Sequence, residues 1–220
     1  MRRRDRDIRG EIMATAQELF FNRGYENTQV DEIIGKVRIS KGSFYRYFKS
    51  KENLLSCVVR EIIDPGCEAL ELIVRSDLGA LEKLNSVFAF SSQWKADNLD
   101  ALKFIVRSFW TEESVLLRHK LISWTSHRMR PIFISILAQG KEEGIFDLDE
   151  PEDVADVVFY FGNVLGESMV NLILSLDDDG ETVRTLRRKI ELNNRVIEKL
   201  LAVPTGSIKT FDLDRLVCAI

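Results

Sequence analysis

The sequence predicts an all-α protein. Only four of its 220 residues are proline, and leucine, isoleucine, valine, glutamate, lysine and arginine dominate the rest. Apolar residues recur every three or four positions along most of the chain, which is the spacing of one helix face, and no stretch keeps the two-residue alternation of a β-strand for long. We therefore expect a series of helices that enclose an apolar core.

The first helix is expected over residues 5–23, because apolar residues recur on one face of this segment. These residues are Ile8, Ile12, Ala16, Leu19 and Phe20. Gly24 follows, and glycine ends helices well because it adopts a positive φ without strain. The first helix therefore has both a buried face and a defined end.

Residues 28–51 predict two short helices joined by a tight turn. The first of them carries an apolar stripe made by Val30, Ile33, Ile34 and Val37. Ser40 then offers a side-chain oxygen to the free amide groups at the start of the next helix. Phe44 and Phe48 are expected to pack back onto the first helix, which closes a small three-helix core.

The second short helix has the layout of a helix-turn-helix DNA reader. Small and polar residues come first, where a recognition helix approaches base edges, and tyrosines and basic residues follow, where they can hold phosphates. The candidates for base edges are Gln29, Lys41, Ser43 and Arg46, with Gly42 allowing close approach and Ser40 on the same surface. The candidates for phosphates are Thr28, Tyr45, Tyr47, Lys51 and the arginines Arg2, Arg3 and Arg4.

The charge distribution agrees with the prediction that this segment binds DNA. Residues 1–51 hold twelve basic and seven acidic side chains, whereas the remainder holds nineteen basic and twenty-eight acidic ones. A basic segment on an acidic body suits contact with nucleic acid through the segment alone, although variation of surface charge produces smaller asymmetries of this kind.

The same segment resembles the DNA-binding domain of the tetracycline-repressor (TetR) family of transcription regulators. The matching residues are Ala16, Leu19, Phe20, Gly24, Tyr25, Thr28, Ile33 and the run SKGSFYRYFKSKENL at 40–54. The resemblance covers the first quarter of the chain. It implies a helix-turn-helix domain at 1–50, followed by a larger helical domain at 51–220 that binds an effector and dimerises.

Two positions depart from the family pattern. Arg38 stands in the turn where the family usually has glycine, and Ile34 replaces a small residue. A non-glycine residue at positive φ costs roughly 1–2 kcal/mol. We therefore expect either strain at Arg38 or a turn of altered shape, with the Arg38 side chain within reach of a phosphate.

The fourth helix begins near Ser50, and its end is ambiguous. Asp64, Pro65 and Gly66 follow an apolar stretch, and proline both breaks a helix interior and starts a new helix well. The helix therefore either ends near Ile63 or continues with a kink. Further helices are expected at 78–96, 99–110, 114–143, 151–176 and 181–202, with a short amphipathic turn after Pro204 that packs on the body.

The aromatic residues of the body have two interpretations. Most of them suit an ordinary core, and the family resemblance implies a pocket for a small apolar or aromatic effector among them. The candidates are Phe88, Trp94, Phe109, Trp124, His127 and Phe133, with Asn163 and Glu167 as polar contacts. An effector that changes the spacing of two DNA-binding domains would release the DNA.

A homodimer is expected through the last two long helices. Gly162 and Gly166 are four residues apart, and small residues at this spacing let two helices approach closely. Ala155, Phe159 and Met169 share their face. The alternative is that this face packs within one subunit.

The sequence contains no arrangement typical of a catalytic site, so we expect no enzyme, cofactor or metal site. The acidic run at 177–179 lacks the spacing of a calcium loop and reads as a solvated loop. Cys57, Cys67 and Cys218 are expected to be buried, reduced thiols, and neither a signal peptide nor a membrane span is expected, which favours a cytoplasmic protein. The favoured function is a one-component transcriptional repressor, and the alternative is an architectural DNA-binding protein without an effector.

Overall fold

A computed structural model describes the backbone of residues 7–175 and 180–219, and the side chains of this part except those of residues 171–175, 180 and 219. The described part is helical and contains no strand, which confirms the all-α prediction. Its helices are α1 (Ile8–Arg23), α2 (Val30–Val37), α3 (Lys41–Tyr47), α4 (Lys51–Val74), α5 (Ala80–Asp97), α6 (Leu99–Phe109), α7 (Val115–Glu142), α8 (Pro151–Ser175), α9 (Gly180–Leu200) and α10 (Leu213–Ala219). The predicted contacts of Arg2, Arg3 and Arg4 and the acidic run at 177–179 lie outside the described residues.

The helices belong to two compact units. The first unit contains the described residues of Met1–Asp64 together with Lys103–Leu121, and the second contains those of Pro65–Leu102 and Ile122–Ile220. The chain therefore passes from one unit to the other within α4, α6 and α7. In the described residues, no helix is both long enough and apolar enough to span a bilayer.

The core of the first unit contains side chains of α1, α2 and α3, the three helices that the sequence predicted to share a core. Asp7 caps α1 by accepting a hydrogen bond from the Gly10 N–H at 2.9 Å, and Gly24 ends it with φ 84°. Phe44 of α3 and Phe48 are buried in the same cluster as Ile12 of α1. This confirms that both phenylalanines pack against the first helix.

Helix α4 runs through Pro65 without ending, so of the two predicted alternatives the continuous helix is observed. The next residue, Gly66, lies against α5, since a Cβ at this position would be 3.3 Å from the Trp94 indole nitrogen. The glycine therefore allows close contact between α4 and α5.

The end of α7 is fixed by a glycine-dependent turn. Gly144 has φ 70°, and the N–H groups of Ile145 and Phe146 both donate to the Gly140 carbonyl at 3.0 Å. The Phe146 ring then covers Gly140 so closely that a Cβ there would lie 2.0 Å from the ring. Gly140 is therefore required by packing, whereas Gly144 is required by the backbone conformation.

The carboxy-terminal tail packs on the body, as predicted. Leu213 and Leu216 of α10 are buried in a cluster with residues of α8 and α9. The buried Glu198 carboxylate of α9 accepts hydrogen bonds from the N–H groups of Gly206 at 2.7 Å and Ile208 at 3.1 Å. The tail is therefore held by apolar burial and by a buried carboxylate, while Ile220 lies outside the described residues.

The three cysteines differ in exposure. Cys67 is buried, Cys57 is half-buried and Cys218 is exposed. The prediction of buried cysteines is therefore confirmed for Cys67 and wrong for Cys218. The prediction of burial failed for Cys218 because this residue lies on the outer side of α10, opposite the side that buries Leu216.

Candidate DNA-binding surface and effector-binding unit

The turn between α2 and α3 contains one left-handed residue. Arg38 has φ 58° and ψ 52°, and the N–H groups of both Arg38 and Ile39 donate to the Ile34 carbonyl. Ser40 then caps α3, because its hydroxyl oxygen accepts a hydrogen bond from the Ser43 N–H at 3.1 Å. The expectation that Arg38 occupies a position suited to glycine is confirmed, and its side chain is exposed.

Helix α3 buries Phe44 and leaves the opposite side open. Lys41, Gly42, Tyr45 and Arg46 are all exposed on this side. A Cβ at Gly42 would lie 3.9 Å from the Ser40 hydroxyl oxygen, which is ordinary contact, so the folded protein does not require glycine here. Small residues stand at the start of this side and longer residues follow them. This arrangement suits a helix that enters a groove of DNA.

The longer side chains of α3 are held by contacts with neighbouring residues. The Arg46 guanidinium lies 4.9 Å from the centre of the Tyr47 ring and donates a hydrogen bond to the Tyr47 hydroxyl at 3.0 Å. The Lys41 ammonium lies 3.4 Å from the Asp31 carboxylate of α2, and both groups are exposed. Gln29 precedes α2, is exposed and makes no capping hydrogen bond with its side chain.

The side chains of Thr28 and Lys51 form hydrogen bonds within the first unit. Thr28 is fully buried, and its hydroxyl donates to the Gly24 carbonyl at 2.9 Å. The Lys51 ammonium donates to the Tyr25 carbonyl at 2.8 Å and to the Thr28 carbonyl at 3.0 Å, and it lies 4.1 Å from the centre of the Tyr25 ring. In this structure both side chains bind the turn before α2, where the sequence placed them on phosphates.

Two titratable residues, Tyr25 and Glu52, adjoin these hydrogen bonds. Burial, followed by the charge of Glu52, raises the pKa of the Tyr25 phenol. A hydrogen bond from Ser50 lowers the pKa of the Glu52 carboxyl. Tyr25 is therefore a neutral, buried ring beneath the Lys51 ammonium, and it ties residues 25–28 to the start of α4.

The predicted effector residues do not all lie together. Phe109 is buried in the core of the first unit, whereas the other candidates belong to the second unit. There, Phe88 and Phe133 contact each other with ring centres 5.9 Å apart. Phe133 is 5% exposed and Phe88 is a half-buried residue packed against the same core, which is what an ordinary core also requires. Trp94 contacts Gly66, Trp124 and Asn163 are half-buried, and Glu167 and His127 are exposed.

A cleft of about 360 Å³ lies in the second unit. Its lining residues are Glu71, Val74 and Arg75 of α4, and His127, Arg128, Pro131 and Ile132 of α7. The Glu71 carboxylate lies 3.6 Å from the Arg75 guanidinium and 3.7 Å from that of Arg128. Sequence reasoning found His127 but missed both arginines, whose only local signal was the four-residue spacing of Glu71 and Arg75.

The predicted dimer residues divide between the inside and the outside of the subunit. Ala155 and Met169 are 1% and 5% exposed and belong to the cores of the second unit. This corrects their placement on an intermolecular face. Gly162 is exposed, and Gly166 and Phe159 are half-buried. Apart from the chain neighbours and the backbone of α8 itself, no atom of the described residues lies within 4 Å of a Cβ built on either glycine.

A second side of α8 is exposed and apolar. Val157, Tyr160 and Val164 are 39%, 66% and 44% exposed. At 3.6 residues per turn these three residues share one side, and Gly162 lies on roughly the opposite side. The sequence pattern therefore identified the correct helix for an exposed apolar surface but emphasised a different side of it.

Comparisons with known proteins agree with this geometry. The family model described as bacterial regulatory proteins, tetR family, matches residues 12–58, which span the core of α1 to the first half of α4. The HTH-type transcriptional repressor KstR2 of Mycolicibacterium smegmatis is 28% identical over 153 residues, covering 70% of this chain and 73% of the relative.

Solved structures share the fold over nearly the whole chain. FadR of Thermus thermophilus, a TetR-family repressor in complex with lauroyl-CoA, has a TM-score of 0.63 at 20% identity and covers 89% of this chain and 96% of its own. FadR of Bacillus subtilis, in complex with stearoyl-CoA, has a TM-score of 0.60 at 21% identity and covers 88% and 98%. These matches identify residues 12–58 as a tetR-family segment and support a TetR-family transcriptional regulator.

Proposed function

We propose that this regulator is a repressor that binds operator DNA as a homodimer and is released by a small-molecule effector. The observation that carries the proposal is the exposed side of α3, which Phe44 and the Ser40 cap hold in place. Residues 1–50 form the DNA-binding domain of this proposal, and residues 51–220 bind the effector and dimerise. Because operator DNA is the partner, the protein acts in the cytoplasm.

The DNA-contacting residues divide into two classes. Lys41, Ser43 and Arg46 of α3 contact base edges, and Gln29, which lies just before α2, is a further base contact. Tyr45, Tyr47 and Arg38 hold phosphates. Phosphate contacts give affinity that falls with salt, whereas base contacts give sequence preference. Gly42 permits approach, and Thr28 supports the surface from within.

The effector acts on the second unit. Its chemistry is suggested by the two FadR complexes, whose ligands both join a long apolar chain to a charged group. An effector changes DNA affinity only through different affinities for the two states of the protein. An architectural DNA-binding protein, the alternative function, has no such ligand.

The function is tested with a duplex selected in vitro by the protein from a random pool. Fluorescence anisotropy should show specific binding of this duplex, and addition of lauroyl-CoA should release it and raise the melting temperature of the free protein. Tight specific binding that no acyl-CoA, fatty acid or aromatic acid reverses would instead support the architectural alternative.

Lys51 affects DNA binding by positioning the turn at residues 25–28. Lys51→Ala should lower the free energy of unfolding by about 1–2 kcal/mol, because charge-assisted hydrogen bonds to two carbonyls are lost. It should weaken binding with little change in the salt dependence of the affinity. The exposed Lys49 is the matched control, since Lys49→Ala should leave stability unchanged.

The salt dependence separates the two roles of Lys51. Loss of one phosphate contact lowers the slope of log affinity against log salt by about one. A Lys51→Ala protein of unchanged stability whose slope falls by this amount would return Lys51 to the phosphate contacts. Chemical denaturation and anisotropy at several salt concentrations provide both measurements.

The homodimer is proposed to form through α8 and α9, whose exposed apolar side chains include Tyr160, Val164 and Leu192. A two-fold dimer matches operator half-sites about 34 Å apart. Tyr160→Glu should give monomers in sedimentation equilibrium, because it places a charge in a desolvated contact. Leu72→Glu is the matched control, since Leu72 of α4 is 69% exposed. Dimeric Tyr160→Glu protein would remove this side of α8 from the interface, and Gly166→Leu then tests the glycine side.

A further inference from the structure

We propose that Arg46 of α3 reads a guanine in the major groove of the operator and that Tyr47 is the residue that positions Arg46. This inference rests on the proposed function, in which α3 enters the groove, and it names the base that is read and the pair of residues that reads it. Both side chains belong to the first unit and to the described part of the chain.

Arg46 occupies the side of α3 that is farthest from the core. At 3.6 residues per turn, Gly42 and Arg46 share one side of the helix, roughly opposite the buried Phe44. Because Gly42 has no side chain, Arg46 provides the long side chain on this side, and it is exposed. A recognition helix turns the side away from its core towards the groove, so Arg46 is placed to reach the edges of the bases.

The other polar side chains of α3 already have partners near the start of the helix. The Lys41 ammonium lies 3.4 Å from the Asp31 carboxylate, and the Ser43 hydroxyl lies 3.0 Å from that of Ser40. Lysine is also a point charge, whereas arginine presents a planar fork of donors that makes two parallel hydrogen bonds. Arg46 is therefore the residue of α3 that best suits a specific two-bond contact with one base.

Tyr47 holds the Arg46 guanidinium in one orientation. The Tyr47 ring is half-buried against the core of the first unit, and the central carbon of the guanidinium lies 4.9 Å from the ring centre. The guanidinium also donates a hydrogen bond from Nη2 to the Tyr47 hydroxyl oxygen at 3.0 Å. A long side chain that is restricted before binding loses less rotamer freedom when the contact with DNA forms, which favours that contact.

The chemistry of the guanidinium selects guanine. A guanidinium carries N–H donors and no acceptor, and in Arg46 one of these donors is used by Tyr47. Guanine presents two acceptors, N7 and O6, on its major-groove edge. Adenine presents an acceptor beside a donor, thymine an acceptor beside a methyl group, and cytosine a donor. Two parallel N–H groups of Arg46 therefore match guanine and mismatch the other three bases.

The Tyr47 hydroxyl can serve two contacts at once. Its oxygen accepts the hydrogen bond from Arg46, so its own O–H can still donate to a phosphate oxygen. A phosphate bound in this way fixes the position of α3 along the duplex, and the position of the guanidinium at the base follows from it. Tyr47 thus connects a contact that gives affinity to a contact that gives sequence preference.

The test expresses the guanine preference of each protein as a ratio of two affinities. The first duplex is the one that the wild-type protein selects in vitro, and a second selection with Arg46→Ala identifies the position where the preference for guanine is lost. The second duplex carries 7-deazaguanine at this position, which removes N7 and keeps the base pair. Wild type should bind it at least fivefold more weakly, because a hydrogen bond to a charged group contributes roughly tenfold or more in affinity.

Inosine at the same position is the control for the DNA. It keeps N7 and O6 and lacks the minor-groove amine of guanine, so wild-type protein should bind this duplex nearly as tightly as the selected one. A loss of affinity with inosine as large as that with 7-deazaguanine would contradict a major-groove contact.

Two variants and a control assign the roles of the residues. Arg46→Ala should bring the ratio close to one. Tyr47→Phe keeps the ring and removes the hydroxyl, and it should lower the ratio at least twofold, whereas loss of a phosphate contact alone would weaken both duplexes equally. Tyr45→Phe, at the other tyrosine of α3, should keep the wild-type ratio. Both affinities come from one protein preparation, so a partly unfolded variant changes them equally and leaves the ratio valid.

The outcomes separate this inference from the proposed function. A wild-type ratio near one, or an Arg46→Ala protein that keeps the wild-type ratio, overturns the inference and leaves intact a repressor that binds its duplex specifically and is released by an effector. A Tyr47→Phe protein with the wild-type ratio overturns the positioning role. An Arg46-dependent ratio in a protein that no effector releases from DNA supports the inference and contradicts the proposed function. A selection that enriches no sequence contradicts both.

Discussion

The proposed DNA-binding surface depends on the burial of Phe44, which anchors the inner side of α3 in the core of the first unit. Isolated helices shorter than about 12–15 residues are marginal in water, and α3 has only seven residues. Its helical state is therefore supplied by the apolar contacts of Phe44 and Phe48 with the core of the first unit and by the Ser40 cap. Because the inner side of α3 is anchored in this way, its outer side is free to carry the residues that we propose to contact DNA.

Local signals explain why the sequence predicted α1, α2 and α3 well. The Ser40 cap, the apolar stripe of α2 and the glycine at the end of α1 each determine structure within a few residues. Arg38 belongs to the same class, since its left-handed conformation follows from the need for a tight turn between α2 and α3. Such features depend on neighbours in the chain and can be read from residue order.

Long-range contacts explain the errors. Lys51 binds carbonyls 23 and 26 residues earlier in the chain, and nothing in its local sequence distinguishes this role from a phosphate contact. Phe109 has the spacing of its helix neighbours, but the segment Lys103–Leu121 belongs to the first unit, so the residue lies in a different core. The cleft joins Glu71 and Arg75 to His127 and Arg128, which are more than fifty residues away in the sequence.

Helix α4 is the element that gives the proposed function a physical route. Its first part lies in the unit that contains α3, its second part lines the cleft, and the division between the units falls at Asp64 and Pro65 within the helix. Pro65 supplies no N–H to the carbonyl of Glu61, so the helix lacks one backbone hydrogen bond at this point. In the proposed function, a ligand that prefers one position of the second part of α4 biases the first part through the helix itself.

The measurement that tests the central claim most directly is DNA binding by Gly42→Leu. The folded protein has space for a side chain at this position, and leucine favours helix over glycine, so the melting temperature should stay the same or rise. A leucine at the start of α3 should keep the helix away from base edges and weaken binding of the selected duplex at least a hundredfold. Unchanged affinity for this duplex in a fully folded Gly42→Leu protein would contradict the assignment of α3 as the helix that reads DNA.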